Sequence, residues 1–96
     1  MLYLGIDLGT TGCKSMLFDN MGNIKGSSYI ESDLIFTADG VEQDANDWWE
    51  KVKQTVRETV KSSNCEIGEI AALAVSSQGI SGVAVDRDGN ALSNAI

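Results

Sequence analysis

The sequence predicts an α/β fold: an antiparallel three-strand meander, one crossover helix, a parallel central strand returning beside the first, and a final hairpin. Three observations carry this reading. Short apolar runs in residues 2–30 are punctuated by small, turn-forming residues. Trp49, Val52, Val56 and Val60 recur at helical spacing. Ile70-Ala71-Ala72-Leu73-Ala74-Val75 is then an unbroken apolar run, the pattern of a strand covered on both faces. A strand, helix, strand order implies a right-handed parallel crossover.

Each element follows from its residues. Leu2-Tyr3-Leu4-Gly5-Ile6 reads as a buried strand ending at Asp7, and Cys13 to Asp19 as its hairpin partner across the tight Gly9-Thr10-Thr11-Gly12 loop. Asp19-Asn20-Met21-Gly22-Asn23 gathers turn formers. Ile24 to Ile30 is a third strand, weakened by Gly26, Ser27 and Ser28. Residues 31–43 lack a period and read as a surface connection with Phe36 and Val41 as anchors. Asp44 is placed as helix N-cap, with Asp47 three residues on as a carboxylate variant of the capping box. Trp49 belongs to the core stripe, Ala45 and Trp48 flank it, and Lys51, Lys53, Arg57, Glu58 and Lys61 face water. Ser62-Ser63-Asn64 ends the helix. Asp86-Arg87-Asp88-Gly89-Asn90 joins Val83-Ala84-Val85 to a segment from Ala91 as the last hairpin.

Composition bounds the function. The 96 residues suffice for one small domain, and a hydrophobic fraction of 43% suits a folded chain. Seven Lys plus Arg against fourteen Asp plus Glu give a net charge of −7, which argues against non-specific nucleic-acid binding. No stretch approaches the roughly 20 apolar residues that span a bilayer, so no membrane partner is expected. The N-terminus lacks the basic start and small-residue cleavage site of a signal peptide, so a cytoplasmic location is expected. Cys13 and Cys65 show no metal-ligand spacing, and free thiols are the default. Histidine is absent, so a general base within this chain would have to be a carboxylate, lysine or tyrosine.

The strand-end carboxylate and the loop after it suggest a nucleotide-phosphate site. Asp7 suits Mg2+, whose remaining ligands come partly from phosphate. Gly9 allows close backbone approach to an anion, Thr10 and Thr11 add hydroxyls, and Lys14 adds a point charge. A plain hairpin loop and a strand-end cap account for the same residues taken alone. Cys13 separates Gly12 from Lys14, which rules out a Walker A loop. The glycines join two strands rather than opening a helix, which rules out the dinucleotide fingerprint. Ligands in open α/β sheets gather beyond the carboxyl ends of parallel strands. If the first and alanine-rich strands are neighbours, Asp7 and Gln78 face one crevice.

Together the motifs resemble the FGGY carbohydrate kinases. Gly5-Ile6-Asp7-Leu8-Gly9-Thr10-Thr11-Gly12 with Lys14 and Phe18-Asp19 looks like that family's opening. Val41-Glu42-Gln43-Asp44 before Trp48-Trp49 is similar to its second landmark, and Ala74-Val75-Ser76-Ser77-Gln78 to its third, with Val85-Asp86 and Asp88-Gly89 following. The likeness covers essentially the whole chain. It implies a ribonuclease H-like fold of the actin and hexokinase type, of which residues 1–96 form the N-terminal part of the first lobe. It also implies an ATP-dependent transfer of a γ-phosphoryl group to a sugar or polyol hydroxyl. By the same resemblance Asp7 positions Mg2+ and phosphate, and Gly9, Thr10, Thr11 and Lys14 bind the ATP phosphates. Gln78, Gly79 and Ile80 border the sugar. Glycerol kinases carry Arg-Glu after this glutamine and xylulokinases Met-His; Gly79-Ile80 here offers a sugar hydroxyl no polar side chain. The second landmark is closer to xylulose- and gluconate-type kinases than to glycerol kinases.

The family's catalytic base and adenosine pocket lie beyond residue 96, so the segment alone is expected to be inactive. Two other classes fit parts of the sequence. An actin- or chaperone-like ATPase switch shares the first loop but not the Trp48-Trp49 block. A non-catalytic binding module would need a closed core within 96 residues. An exposed sheet edge makes self-association of the segment an expectation.

Overall fold

The computed structural model of the chain describes residues 1–79 and 81–95. Its main sheet has four strands in the order β3-β2-β1-β6. β1 (Leu2–Leu8), β2 (Gly12–Asp19) and β3 (Ile24–Glu31) form the expected antiparallel meander, and β6 (Ile70–Ser77) runs parallel to β1. A second sheet pairs β4 (Ile35–Thr37) with β5 (Gly40–Glu42). One helix, α1 (Ala45–Ser63), connects β5 to β6, and a 3-10 turn at Ile67–Glu69 leads into β6.

Alternation on β1 and β2 decides where the core lies. Leu2, Leu4 and Ile6 point to one face with Cys13, Ser15 and Leu17, and α1 covers them. Tyr3, Gly5 and Asp7 share the other face with Lys14, Met16 and Phe18, following the pairing Asp7 with Lys14 and Gly5 with Met16.

α1 begins as expected. The Asp44 carboxylate accepts from Asn46 N at 2.9 Å, and the helix ends with Asn64 in the left-handed region at φ 57°. Asp47 does not close a capping box; its carboxylate takes the Lys51 ammonium. The buried ridge also differs from the expected stripe. Lys51, Thr55 and Thr59 are buried, whereas Val52, Val56 and Val60 are half-buried and Trp49 is 61% exposed under Lys53. Val52, Val56 and Val60 do pack against the core as expected; Trp49 leaves the stripe, and the adjoining ridge of Lys51, Thr55 and Thr59 is buried more deeply. Hydroxyls fit the shallow surface of β2 and β3 and satisfy each other there. Ser15 and Thr55 bond at 2.8 Å between their hydroxyls, Thr55 reaches Cys13 Sγ at 3.5 Å, and Thr59 donates to Ser15 O at 3.2 Å.

The small residues of β3, read from sequence as a weakness, let α1 approach. A Cβ on Gly26 would lie 2.7 Å from Thr59 O and 2.9 Å from both Ser62 Oγ and Ser63 Cβ. Ser28 donates to Glu58 at 2.7 Å. Lys51, expected in water, is drawn under Asp33 and Asp47. Burial favours losing its proton, but the hydrogen bonds it donates to Asp47 and Asp33 outweigh this and raise its pKa above the ordinary lysine value.

Two further expectations are corrected, and the last hairpin is present in a short form. Residues 31–43 contain the β4–β5 hairpin, and Phe36 (76% exposed) and Val41 are not anchors; Lys51–Asp33 and a bond from Ser32 N to Thr11 O hold the segment instead. β6 is an edge strand among the described residues, not a central one. With α1 spent on β2 and β3, Leu73 and Val75 stay about 60% exposed. The last hairpin is a single bridge, Val85 with Ala91, supported by Leu92 N donating to Ala84 O. Cys13 and Cys65 are both free.

The two Asp-x-x-Gly-Asn turns are built alike. Asp19 accepts from Met21 N, Asn23 N and Asn23 Nδ2, and Asp86 from Asp88 N, Asn90 N and Asn90 Nδ2. The Asn23 side chain and backbone hold Asp19 below the ordinary aspartate pKa, and the Asn90 backbone and side chain do the same for Asp86. A depressed folded-state pKa gives stability that is present above the unfolded value of 3.8 and lost as pH falls through the folded one. Urea midpoints taken downward from about pH 5 should therefore fall, and Asp19→Asn should flatten part of that fall. An unaltered acid profile in Asp19→Asn refutes this origin.

Candidate phosphate and substrate site

The β1–β2 loop stands at the carboxyl end of β1, where β6 ends beside it. Asp7 lies opposite Lys14 on β2 and level with Ser76 on β6; both charged side chains are exposed. Among the described residues the Asp7 carboxylate has no hydrogen-bond or ion-pair partner. It opens on a depression floored by Gly5, Met16 and Phe18 and walled by Lys14 and Ser76.

The loop is tightly held by the chain itself. Gly9 N donates to Gly12 O at 2.9 Å, Ser32 N donates to Thr11 O at 2.9 Å, and Tyr29 OH donates to Thr11 Oγ1 at 3.4 Å. Gly12 is demanded by the fold, since a Cβ there would meet Tyr29 Oη at 2.5 Å and Ile30 O at 2.6 Å. Gly9 is not: its Cβ would make ordinary contacts with Gly12 O at 3.5 Å and Asp7 Oδ1 at 3.9 Å. The packing around Gly9 therefore does not itself require a glycine. Thr10 and Thr11 are exposed, and among the described residues their amide N–H groups meet no acceptor within the chain.

Gln78 sits elsewhere. Its backbone N donates to Leu8 O at 2.9 Å, fixing it one step past the β1–β6 pairing. Its side chain enters a second depression with Thr10, Gln43, Trp48, Leu34 and Ala95, which Gly79 also lines. The strands are neighbours as expected, but Asp7 and Gln78 line separate depressions with the loop between them. Ile80, named from sequence with Gln78 and Gly79, lies outside the described residues.

Sequence reasoning missed Gln43 and Trp48 as members of this site. Gln43 is buried, and Trp48 Nε1 donates to its Oε1 at 2.6 Å. The sequence signal was there, a polar residue just before an N-cap that finds its partners in three other segments. Nothing local reveals those partners.

Residues 2–96 match the N-terminal domain of the FGGY family of carbohydrate kinases. The chain belongs to that family. A glycerol kinase from Haloferax volcanii is 33% identical over 97 residues, a match that covers 98% of this chain and 19% of the relative. Among solved structures, a xyloylose kinase from Brucella ovis superposes with a TM-score of 0.91 at 27% identity, over all of this chain and 20% of that one. Gluconate kinase from Lactobacillus acidophilus follows at 0.87 and 28%, covering 99% of this chain and 19% of its own. The chain thus spans about a fifth of the length of its FGGY relatives. Its sheet and helix are a part of the actin- and hexokinase-like, ribonuclease H-like fold of those kinases. Among the described residues no helix is long and apolar enough to cross a membrane.

Proposed function

We propose that residues 1–96 form the N-terminal part of the first lobe of an ATP-dependent kinase that phosphorylates a sugar or polyol hydroxyl in the cytoplasm. One observation carries the reading. Asp7 and Lys14, the residues that flank the Leu8–Gly12 loop, line one depression, and Thr10 within that loop lines a second one with Gln43, Trp48 and Gln78. Phosphoryl transfer needs a donor and an acceptor held next to one another, with charge neutralised from several sides.

The residues have distinct tasks. Lys14 supplies positive charge, the N–H groups and hydroxyls of Thr10 and Thr11 supply donors, and Gly9 lets phosphate come close to the backbone. The unpaired, exposed Asp7 carboxylate fits Mg2+, which needs only one or two protein carboxylates beside phosphate and water. The bound metal would neutralise phosphate charge. Gln78 and the backbone at Gly79 face the acceptor.

The decisive measurement is sugar-dependent ATP turnover by the kinase polypeptide that carries this segment, with xylulose, gluconate and glycerol as acceptors. Turnover that ignores every acceptor supports an ATPase switch and refutes the kinase reading. The 96-residue chain alone is expected to show no turnover, because charge neutralisation comes from one side only. Activity of the isolated chain contradicts that division of labour.

A further inference from the structure

The buried side-chain amide of Gln43 uses both of its ends. Oε1 accepts from Trp48 Nε1 at 2.6 Å and from Gln78 Nε2 at 3.2 Å, and Nε2 donates to Thr10 O at 3.2 Å. The orientation is forced, because an indole N–H only donates and a carbonyl only accepts. A flipped amide would lose those bonds together. The backbone of Gln43 is anchored independently: Gln43 N donates to Ala95 O at 3.0 Å and Ala95 N to Gln43 O at 2.7 Å. The side chain is therefore free to serve something other than its own segment.

What it serves is the peptide between Thr10 and Thr11. In a planar trans peptide the C=O and N–H point in opposite directions. Holding Thr10 O toward Gln43 therefore turns Thr11 N–H to the far side of the loop, away from the second depression. That N–H has no acceptor among the described residues. The next peptide is held in turn, with Thr11 O taken by Ser32 N.

We propose that Gln43 is a positioning residue that links the two depressions. Its Nε2 sets the Thr10–Thr11 peptide so that Thr11 N–H is presented to a phosphate oxygen. Its Oε1 gathers Trp48 and Gln78, so an acceptor settling against Gln78 stiffens the same amide. Occupancy of the acceptor depression is in this way felt at the phosphate loop. This inference rests on the kinase reading above.

The test uses the kinase polypeptide with Mg·ATP and its accepted sugar. Gln43→Glu keeps both acceptor contacts, with Trp48 and Gln78, but a carboxylate cannot donate to Thr10 O. At saturating sugar the KM for ATP should rise about 5- to 10-fold, the loss of one hydrogen bond, while the KM for sugar taken at ATP well below its own KM, where the reciprocal coupling is silent, stays within about two-fold. The lowering of the ATP KM by saturating sugar should disappear. An unchanged ATP KM, or equal rises in both KM values with a parallel drop in thermal midpoint, overturns the proposal in favour of a purely structural role. Should Gln43→Glu fail to fold, Trp48→Phe decides, because it removes the donor that pins Oε1. Sugar should then lower the ATP KM less than in the wild type, and an intact effect overturns the proposal. Absence of sugar-dependent turnover in the wild type takes the kinase reading and this inference down together; an active wild type with unmoved variants sinks the inference alone.

Discussion

Asp7→Ala is expected to lower turnover of the kinase polypeptide by roughly 10²–10³-fold, the usual loss when one group aimed at developing charge is removed. Its thermal midpoint should not move. The carboxylate is exposed and has no partner among the described residues, so the fold loses no bond with it. The backbone of Asp7 stays paired on both sides, with β2 and with β6, whatever side chain it carries. A large kinetic effect with no stability effect is the signature of a group whose partner is a ligand. Circular dichroism melts beside steady-state assays read both quantities, and turnover within two-fold of the wild type refutes the role of Asp7.

The opposite signature is expected at Gly26. Gly26→Val should destabilise the chain by about 1–3 kcal/mol, measured from urea midpoints. Its added carbons meet the Thr59 carbonyl and the Ser62 and Ser63 side chains at the foot of α1. Two of those neighbours belong to the helix backbone or its stiff Cβ, so relief requires the whole helix to lift from β3. Lifting it would also pull Thr55 and Thr59 from Ser15, leaving buried hydroxyls without partners. Gly68→Ala is the control, since no atom lies within 4 Å of its added Cβ. It should stay within about 0.5 kcal/mol of the wild type. A Gly26→Val chain as stable as the control would mean that α1 does not press on β3 at this point.

These two positions mark what was legible in the sequence. The strands of the main sheet are legible because their residues alternate or run apolar, unlike the short β4 and β5, and the turns because Asp19 to Asn23 and Asp86 to Asn90 carry their own hydrogen-bond partners. A phosphate loop can be proposed from the sequence for the same reason: Asp7, Gly9, Thr10, Thr11 and Lys14 lie close together in the chain. The helix and its valine stripe are legible, but the more deeply buried ridge beside them is not. Hydrophobicity favours Trp49, whereas the sheet presents Cys13, Ser15, Gly26 and Ser28 and so selects Thr55 and Thr59. Complementarity of that kind exists only once two elements meet. Gln43 was overlooked on the same ground, since its partners lie 5, 33 and 35 residues away. The apolar run Ile70 to Val75 predicts a strand covered on both faces, and the uncovered faces of β6 here reflect how far one helix reaches.

The paired indoles at the start of α1 give the molecule an intrinsic optical readout. Trp49 lies open to water beneath an ammonium group, so its emission is that of a solvated chromophore. Trp48 is half-buried, with its ring nitrogen held by a glutamine that also grips the loop. Once Trp49 is replaced by phenylalanine, the remaining tryptophan emission comes from Trp48 alone, in the wall of the second depression.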